Sequence, residues 1–163
     1  MIITKTPYRI SFFGGGSDYP IWYKKFGGSV LSTTIDKYIY ISCRELPPFF
    51  DHKYRIVWSK IENVKTIDEI QHLTVRKLLK YNKIKSGLEI HYDGDLPARS
   101  GMGSSSSFSV GLMRALTKYQ YKDLKGINLA QKTIFFEQKI MKETVGSQDQ
   151  VAASIGGFNK INF

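Results

Sequence analysis

A single α+β domain is what this sequence predicts, and three observations carry the expectation. Its 163 residues are 42% hydrophobic and 13% aromatic, enough for one folded unit with a real core. Two-residue alternation over residues 2–13, 30–35, 38–43, 54–58 and 88–92 reads as strands. Apolar residues at helical spacing recur over residues 67–81, again at Phe108, Leu112, Ala115, Leu116 and Tyr119, and once more beyond Asn128.

The first strand carries a cation at Arg9 and is interrupted at Thr6-Pro7. Gly14-Gly15-Gly16-Ser17-Asp18-Tyr19-Pro20 follows. A run of glycines lets backbone approach a ligand closely, and the Asp carboxylate suits paired sugar hydroxyls, although such a stretch on its own reads first as an ordinary turn. Gly27-Gly28 opens a second turn, and Asp36-Lys37 separates two strands that read as a hairpin. Cys43, in the second of them, reads as a small buried hydrophobe, and a single cysteine excludes an intramolecular disulfide. Residues 67–81 read as one helix of four turns, with Asp68 and Glu69 early and Lys77 and Lys80 late, as the helix dipole prefers.

The stretch that organises the chain is LPARSGMGSSSSF, residues 96–108. It follows a strand and opens directly into a helix, the order in which phosphate loops are built. Glycines admit close approach, the helix start offers free N–H groups and partial positive charge, and serines add hydroxyls for phosphate oxygens or a bound Mg²⁺. A flexible linker or a simple helix cap is the competing account. No Lys follows the second glycine as a Walker A loop requires, and Gly101-x-Gly103-x-x-Ser106 lacks the last glycine of the dinucleotide fingerprint.

Beyond that helix, Asn128 with Gln131 reads as a capping box. The stripe Ala130, Ile134, Glu137 and Met141 then puts a carboxylate where a core-facing helix places an apolar residue, so a cation or metal partner is expected. A helix rotated to bury Phe135, Ile140 and Met141 and to solvate Glu137 is the other open reading. Asp149, ahead of the apolar residues 151–155, would by itself cap a helix, and a strand pattern follows from Gly156-Gly157-Phe158.

A formal net charge of +10 calls for an anionic partner. The lysines are spread rather than gathered in one arm, no RNP-type aromatic motif or zinc-finger spacing is present, and His52, His72 and His91 form no ligand pattern, which argues against transition-metal chemistry. No apolar run spans a bilayer and no secretory leader pattern is seen, so a cytoplasmic protein without a membrane partner is expected.

Three stretches together resemble the GHMP kinases, in that family's order. Pro7-x-Arg9 with Gly14-Gly15-Gly16-Ser17-Asp18-Tyr19 is similar to the first motif. Pro97-x-x-x-Gly101-x-Gly103-Ser104-Ser105-Ser106-Ser107 resembles the second, and Glu137 with Gly146-x-Gln148-Asp149-Gln150 resembles the catalytic segment. The resemblance implies an α+β N-terminal domain like domain 2 of ribosomal protein S5, a mixed sheet backed by helices with a left-handed crossover. It implies ATP phosphates on Gly101, Gly103, Ser104, Ser105, Ser106 and Ser107, and Mg²⁺ on Ser105 and Glu137. Asp149 would take the acceptor proton beside Arg9, and Asp18, Gly15, Gly16 and Tyr19 would meet the substrate.

Galactokinases have Glu-His where this chain has Gly15-Gly16, and GGGSDYP looks most like the kinases of glycero-manno-heptose 7-phosphate. A phosphorylated sugar, serving surface-polysaccharide synthesis, is therefore the implied substrate, with fucose, mannose or galactose derivatives and isoprenoid-pathway substrates as alternatives. The family also implies a C-terminal domain with a third glycine-rich motif. Nothing after Phe163 supplies it, so the expectation is that residues 1–163 are the N-terminal half and need the other half as a partner. A nucleic-acid-binding module of the S5 kind is the alternative from another class but not the expected partner, and a homodimer is left open.

Overall fold

The computed structural model describes residues 1–98, 100–122 and 124–163. A six-stranded sheet forms from β1 (Ile2–Phe13), β2 (Ser29–Glu45), β3 (Tyr54–Val57), β4 (Ile61–Val64), β5 (Leu88–Gly94) and β6 (Phe158–Asn162). The strand order is β1-β2-β5-β3-β4, with β6 on β2 beside Ser29–Thr33. Every pairing is antiparallel except β3 with β5. The parallel pair is joined by a crossover through β4 and α2 (Leu73–Tyr81).

Alternation decides the two faces of the sheet. Tyr8, Ile39, Ile41, Cys43, Leu88 and Ile90 are buried on the side covered by helices, where burial pushes the Cys43 thiol up to about 12 and leaves it an inert hydrophobe. On the other side Glu89 is held down by Arg44, Arg55 and His91, an ion-pair cluster remote from the cavity described below. The helix α3 (Ser104–Tyr119) packs on β1 and β2, flanked by α2, α4 (Gly126–Phe135) and α5 (Gln148–Ile155). Of the expected stripe of α3, Phe108, Leu112, Ala115 and Leu116 are buried, and Tyr119 is partly buried against the same core.

Three expectations change, and one helix is new. Residues 30–35 and 38–43 are not a hairpin: they form one strand, because β1 pairs along both, with a register shift between Pro7 and Arg9 that absorbs Asp36-Lys37. The four-turn helix over residues 67–81 is a 3₁₀ turn, Ile67–Glu69, followed by α2. The break is stabilised by buried Glu62 of β4, a strand alternation did not mark, whose carboxylate accepts the N–H groups of Gln71 and His72 and the Trp58 indole N–H. Asn128 does not cap α4, which starts at Gly126 behind Lys125 and has no side-chain cap. A short helix, α1 (Pro20–Phe26), follows the triple-glycine loop, started by the proline at its first position.

Candidate active site

At the N-terminus of α3 the residues singled out from sequence converge on a cavity of about 340 Å³, lined by Arg9, Asp18, Tyr19, Gly101, Gly103, Ser104–Ser106, residues 145–146 and 148, and Asp149. Helix α3 runs for 16 residues and begins behind Gly103 without a side-chain cap, so its first N–H groups are free for an anion. Gly103 has φ +76°, and a Cβ on it would stand 3.2 Å from Asp149 Oδ2. The loop therefore has to be glycine there to lie against the acid. A larger groove of about 460 Å³ between α1, α4, α5 and β6 is mainly apolar and is lined by no carboxylate, so it offers no acid–base chemistry.

Arg9 and Asp149 are the charged centre of the site. Arg9 donates from Nε to Oδ1 at 2.7 Å and from Nη2 to Oδ2 at 2.9 Å, a bidentate pair linking residues 140 apart in sequence. Its remaining nitrogen donates to the Gly101 carbonyl at 2.9 Å, and its backbone N–H donates to Met102 O at 3.1 Å. One arginine thus locks the phosphate-type loop to the acid at the start of α5.

Glu137 is buried, 1% exposed, which settles the two readings of its helix: Phe135 is half exposed instead. The carboxylate sits on a π-helical turn, Phe136–Met141, and accepts hydrogen bonds from Ser106 Oγ at 3.0 Å and from Gln150 Nε2. The hydroxyl facing Glu137 belongs to Ser106, whereas Ser105 is exposed on the cavity wall. That differs from the Ser105–Glu137 set the resemblance implied, and the reason is helical phase: Ser106, not Ser105, points inward from the first turn of α3. Burial raises the Glu137 pKa, against the neighbouring Ser109, Gln150 and Ser106 side chains, which favour the ionised form.

Its second oxygen, Oε1, is buried without a hydrogen-bond partner among the described residues, and so is Oε1 of Gln150. Two orphaned acceptors behind an anion-binding helix start fit a cation. Among the described residues no cluster of three or more His, Cys, Asp or Glu that could hold a metal ion exists.

An acid whose folded-state pKa is raised supplies stability fully present below its unfolded pKa and lost as pH rises through the folded one. Glu137→Gln should therefore melt higher than the parent near neutral pH without divalent ions, with the gap closing as pH falls into the ordinary carboxylate range. Thermal melts across pH check this, and parallel curves at all pH values would contradict it.

Other expected residues do different work. Ser107 is buried and donates to Pro7 O at 2.9 Å, so its hydroxyl fastens α3 to β1 rather than reaching a phosphate. Asp18 is 1% exposed and accepts from Gly16 N and Gln148 N, each at 3.1 Å, tying the triple-glycine turn to the start of α5. It holds the loop, where the resemblance implied a sugar ligand. Tyr19 lines the cavity, with Gly15 and Gly16 in the adjoining turn. Gln148 and Gln150 stood in the quoted motif but were given no role, because polar residues in a first helical turn ordinarily face water. Their one signal was their place around Asp149 ahead of apolar Val151, Ala152 and Ala153.

No described helix is long and apolar enough to cross a membrane. The chain is 30% identical over 172 aligned positions to D-glycero-alpha-D-manno-heptose 7-phosphate kinase of Campylobacter jejuni, a match covering 99% of this chain and 50% of that protein. Its fold superposes on a D-glycero-D-manno-heptose 1-phosphate kinase from Bacteroides thetaiotaomicron with a TM-score of 0.86, at 24% identity, over 100% of this chain and 56% of the other. It superposes on the mevalonate kinase of Methanococcus jannaschii with a TM-score of 0.73, at 20% identity, over 98% and 53%. The chain spans about half the length of these proteins. Residues 67–157 match the GHMP kinases N terminal domain, the stretch that holds the serine loop, Glu137 and Asp149 together, and the chain belongs to that family.

Proposed function

We propose that this chain is the part of an ATP-dependent sugar kinase that binds the nucleotide phosphates and activates the acceptor, and that the acceptor is the anomeric hydroxyl of a heptose 7-phosphate. The observation that carries the reading is the bidentate Arg9–Asp149 pair set in one cavity with the uncapped start of α3. Phosphoryl transfer through a loose transition state needs alignment and neutralised charge more than covalent help, and both are provided for here.

In this reading the backbone N–H groups at Gly103–Ser106 and the loop from Gly101 bind the ATP phosphates. Glu137, with the hydroxyls of Ser105 and Ser106, would hold Mg²⁺, which would supply charge neutralisation at the nucleotide phosphates. Asp149 accepts the proton of the attacking hydroxyl. Arg9 orients that carboxylate through the bidentate pair and offsets negative charge on the transferring group. Asp18 positions the acceptor loop against α5, beside Tyr19, Gly15 and Gly16. The similarity to heptose phosphate kinases favours a phosphorylated heptose, and the excess of Lys and Arg suits a doubly charged substrate. Its product, a sugar activated at the anomeric carbon, would serve surface-polysaccharide precursor synthesis in the cytoplasm.

The chain spans half of its relatives, so turnover is proposed for this chain together with the counterpart of their other half. The test is ADP release with Mg·ATP and D-glycero-D-manno-heptose 7-phosphate, run beside mannose, fucose and galactose. The protein would be this chain alone and joined to the second half of the Campylobacter jejuni kinase. Turnover on the heptose phosphate is the expected result. Turnover on one of the other sugars would keep the kinase and replace the substrate, and no turnover on any would remove the sugar assignment.

A further inference from the structure

Gln148 opens α5 one residue before Asp149 and lines the same cavity, yet it has no part in the reading above. It is held at two points. Its N–H donates to Asp18 Oδ2 at 3.1 Å, and its side-chain Oε1 accepts from the hydroxyl of Ser11 on β1. With the carbonyl end taken by Ser11, the amide Nε2 is left as a donor turned the other way, and neither of these two contacts uses it.

The triple glycine bears on the same amide. Gly14 and Gly16 have φ of +84° and +96°, a region L side chains rarely adopt, and a Cβ on Gly14 would also run into the Ser29 carbonyl. Gly15 has neither constraint. A Cβ there would meet one atom within 4 Å, Gln148 Nε2 at 3.8 Å. The backbone would accept a side chain at Gly15, and what glycine leaves at that position is open space in front of the Gln148 amide.

We propose that Gln148 is an acceptor-binding residue: its Nε2 donates to a hydroxyl oxygen of the sugar next to the one that Asp149 deprotonates, with Gly15 keeping that amide accessible. The inference rests on the sugar-kinase reading and adds the group that reads the sugar. A neutral amide in the same helical turn as the base suits an uncharged ring hydroxyl. A phosphate at the far end of the substrate would be met by Lys or Arg instead.

The experiment is calorimetric titration of the chain joined to the second half of the Campylobacter jejuni kinase with D-glycero-D-manno-heptose 7-phosphate, with mannose, and separately with Mg·ADP, for the parent, Gln148→Leu and Gly15→Ala. Both variants should bind both sugars about three- to tenfold more weakly, the value of one hydrogen bond, with Mg·ADP affinity unchanged. Ser11→Ala, which frees the amide to turn, should lose less. Sugar affinity unchanged in Gln148→Leu overturns the proposal, as does a loss shared equally by Mg·ADP, which would mark a structural role. A loss on the heptose phosphate alone overturns it in favour of a phosphate contact. Should Gln148→Leu fail to fold, Gly15→Ala decides alone, since its backbone accepts alanine. A parent chain that binds Mg·ADP and neither sugar overturns the sugar reading itself, and this inference with it.

Discussion

Asp149→Asn is expected to lower turnover by roughly 10²–10⁴-fold, the range for removing a positioned general base, while leaving Mg·ADP affinity within a few-fold of the parent. The asymmetry follows from where the group sits. Asp149 is in the first turn of α5, and the phosphate-binding N–H groups belong to α3, a different element. Asparagine keeps the shape and one acceptor for Arg9, and Arg9 stays tied to the Gly101 carbonyl and to Met102 O. The loop therefore keeps its place, and what disappears is the proton acceptor together with the negative partner of the guanidinium. ADP release by the chain joined to its relatives' second half, set beside Mg·ADP titration, separates the two effects. Full turnover in the variant would remove Asp149 from the mechanism. An S5-like nucleic-acid module predicts instead an affinity for nucleic acid that falls steeply with salt and ignores this substitution.

How far the sequence could be read depended on which physical signal decided each feature. The stripe on α3 and the alternation of β5 were legible because apolar residue types recur at helical and two-residue spacing, even though polar Ser106, Ser107, Ser109 and Glu89 beside them are buried as well. The fusion of residues 30–35 and 38–43 into one strand was not, since Asp36-Lys37 reads as a turn and only pairing with β1 across a bulge overrides it. The break ahead of α2 was hidden for a similar reason. Its cause is a carboxylate on a neighbouring strand, and no local pattern reports a partner that arrives through tertiary structure. In the site, Arg9, Asp149 and the serine loop were named because their residue types in that order resemble a known family. Local spacing by itself left Glu137 undecided, and helical phase set Ser106 in the place expected of Ser105.

Gly146→Ala should be strongly damaging for a single added methyl, costing about 3 kcal/mol and lowering Tm by roughly 10 °C. A Cβ at this position would stand 1.9 Å from Asp18 Oδ2 and 2.6 Å from Asp18 Cγ. That carboxylate cannot swing aside: it is 1% exposed, on a short side chain, and already accepts from Gly16 N and Gln148 N. Moving it orphans two backbone donors and lets go of both the triple-glycine turn and the start of α5. Asp149 is the next residue along that helix, so turnover should fall with stability, and by more than the folded fraction accounts for. A double-mutant cycle isolates the cause. If the clash with the carboxylate is responsible, Asp18→Ala combined with Gly146→Ala should melt no lower than Asp18→Ala alone, because the first substitution removes what the second collides with. Additive losses would place the requirement for glycine elsewhere, and the tie between the acceptor loop and the catalytic helix would then have to run through Ser11 and Gln148 instead.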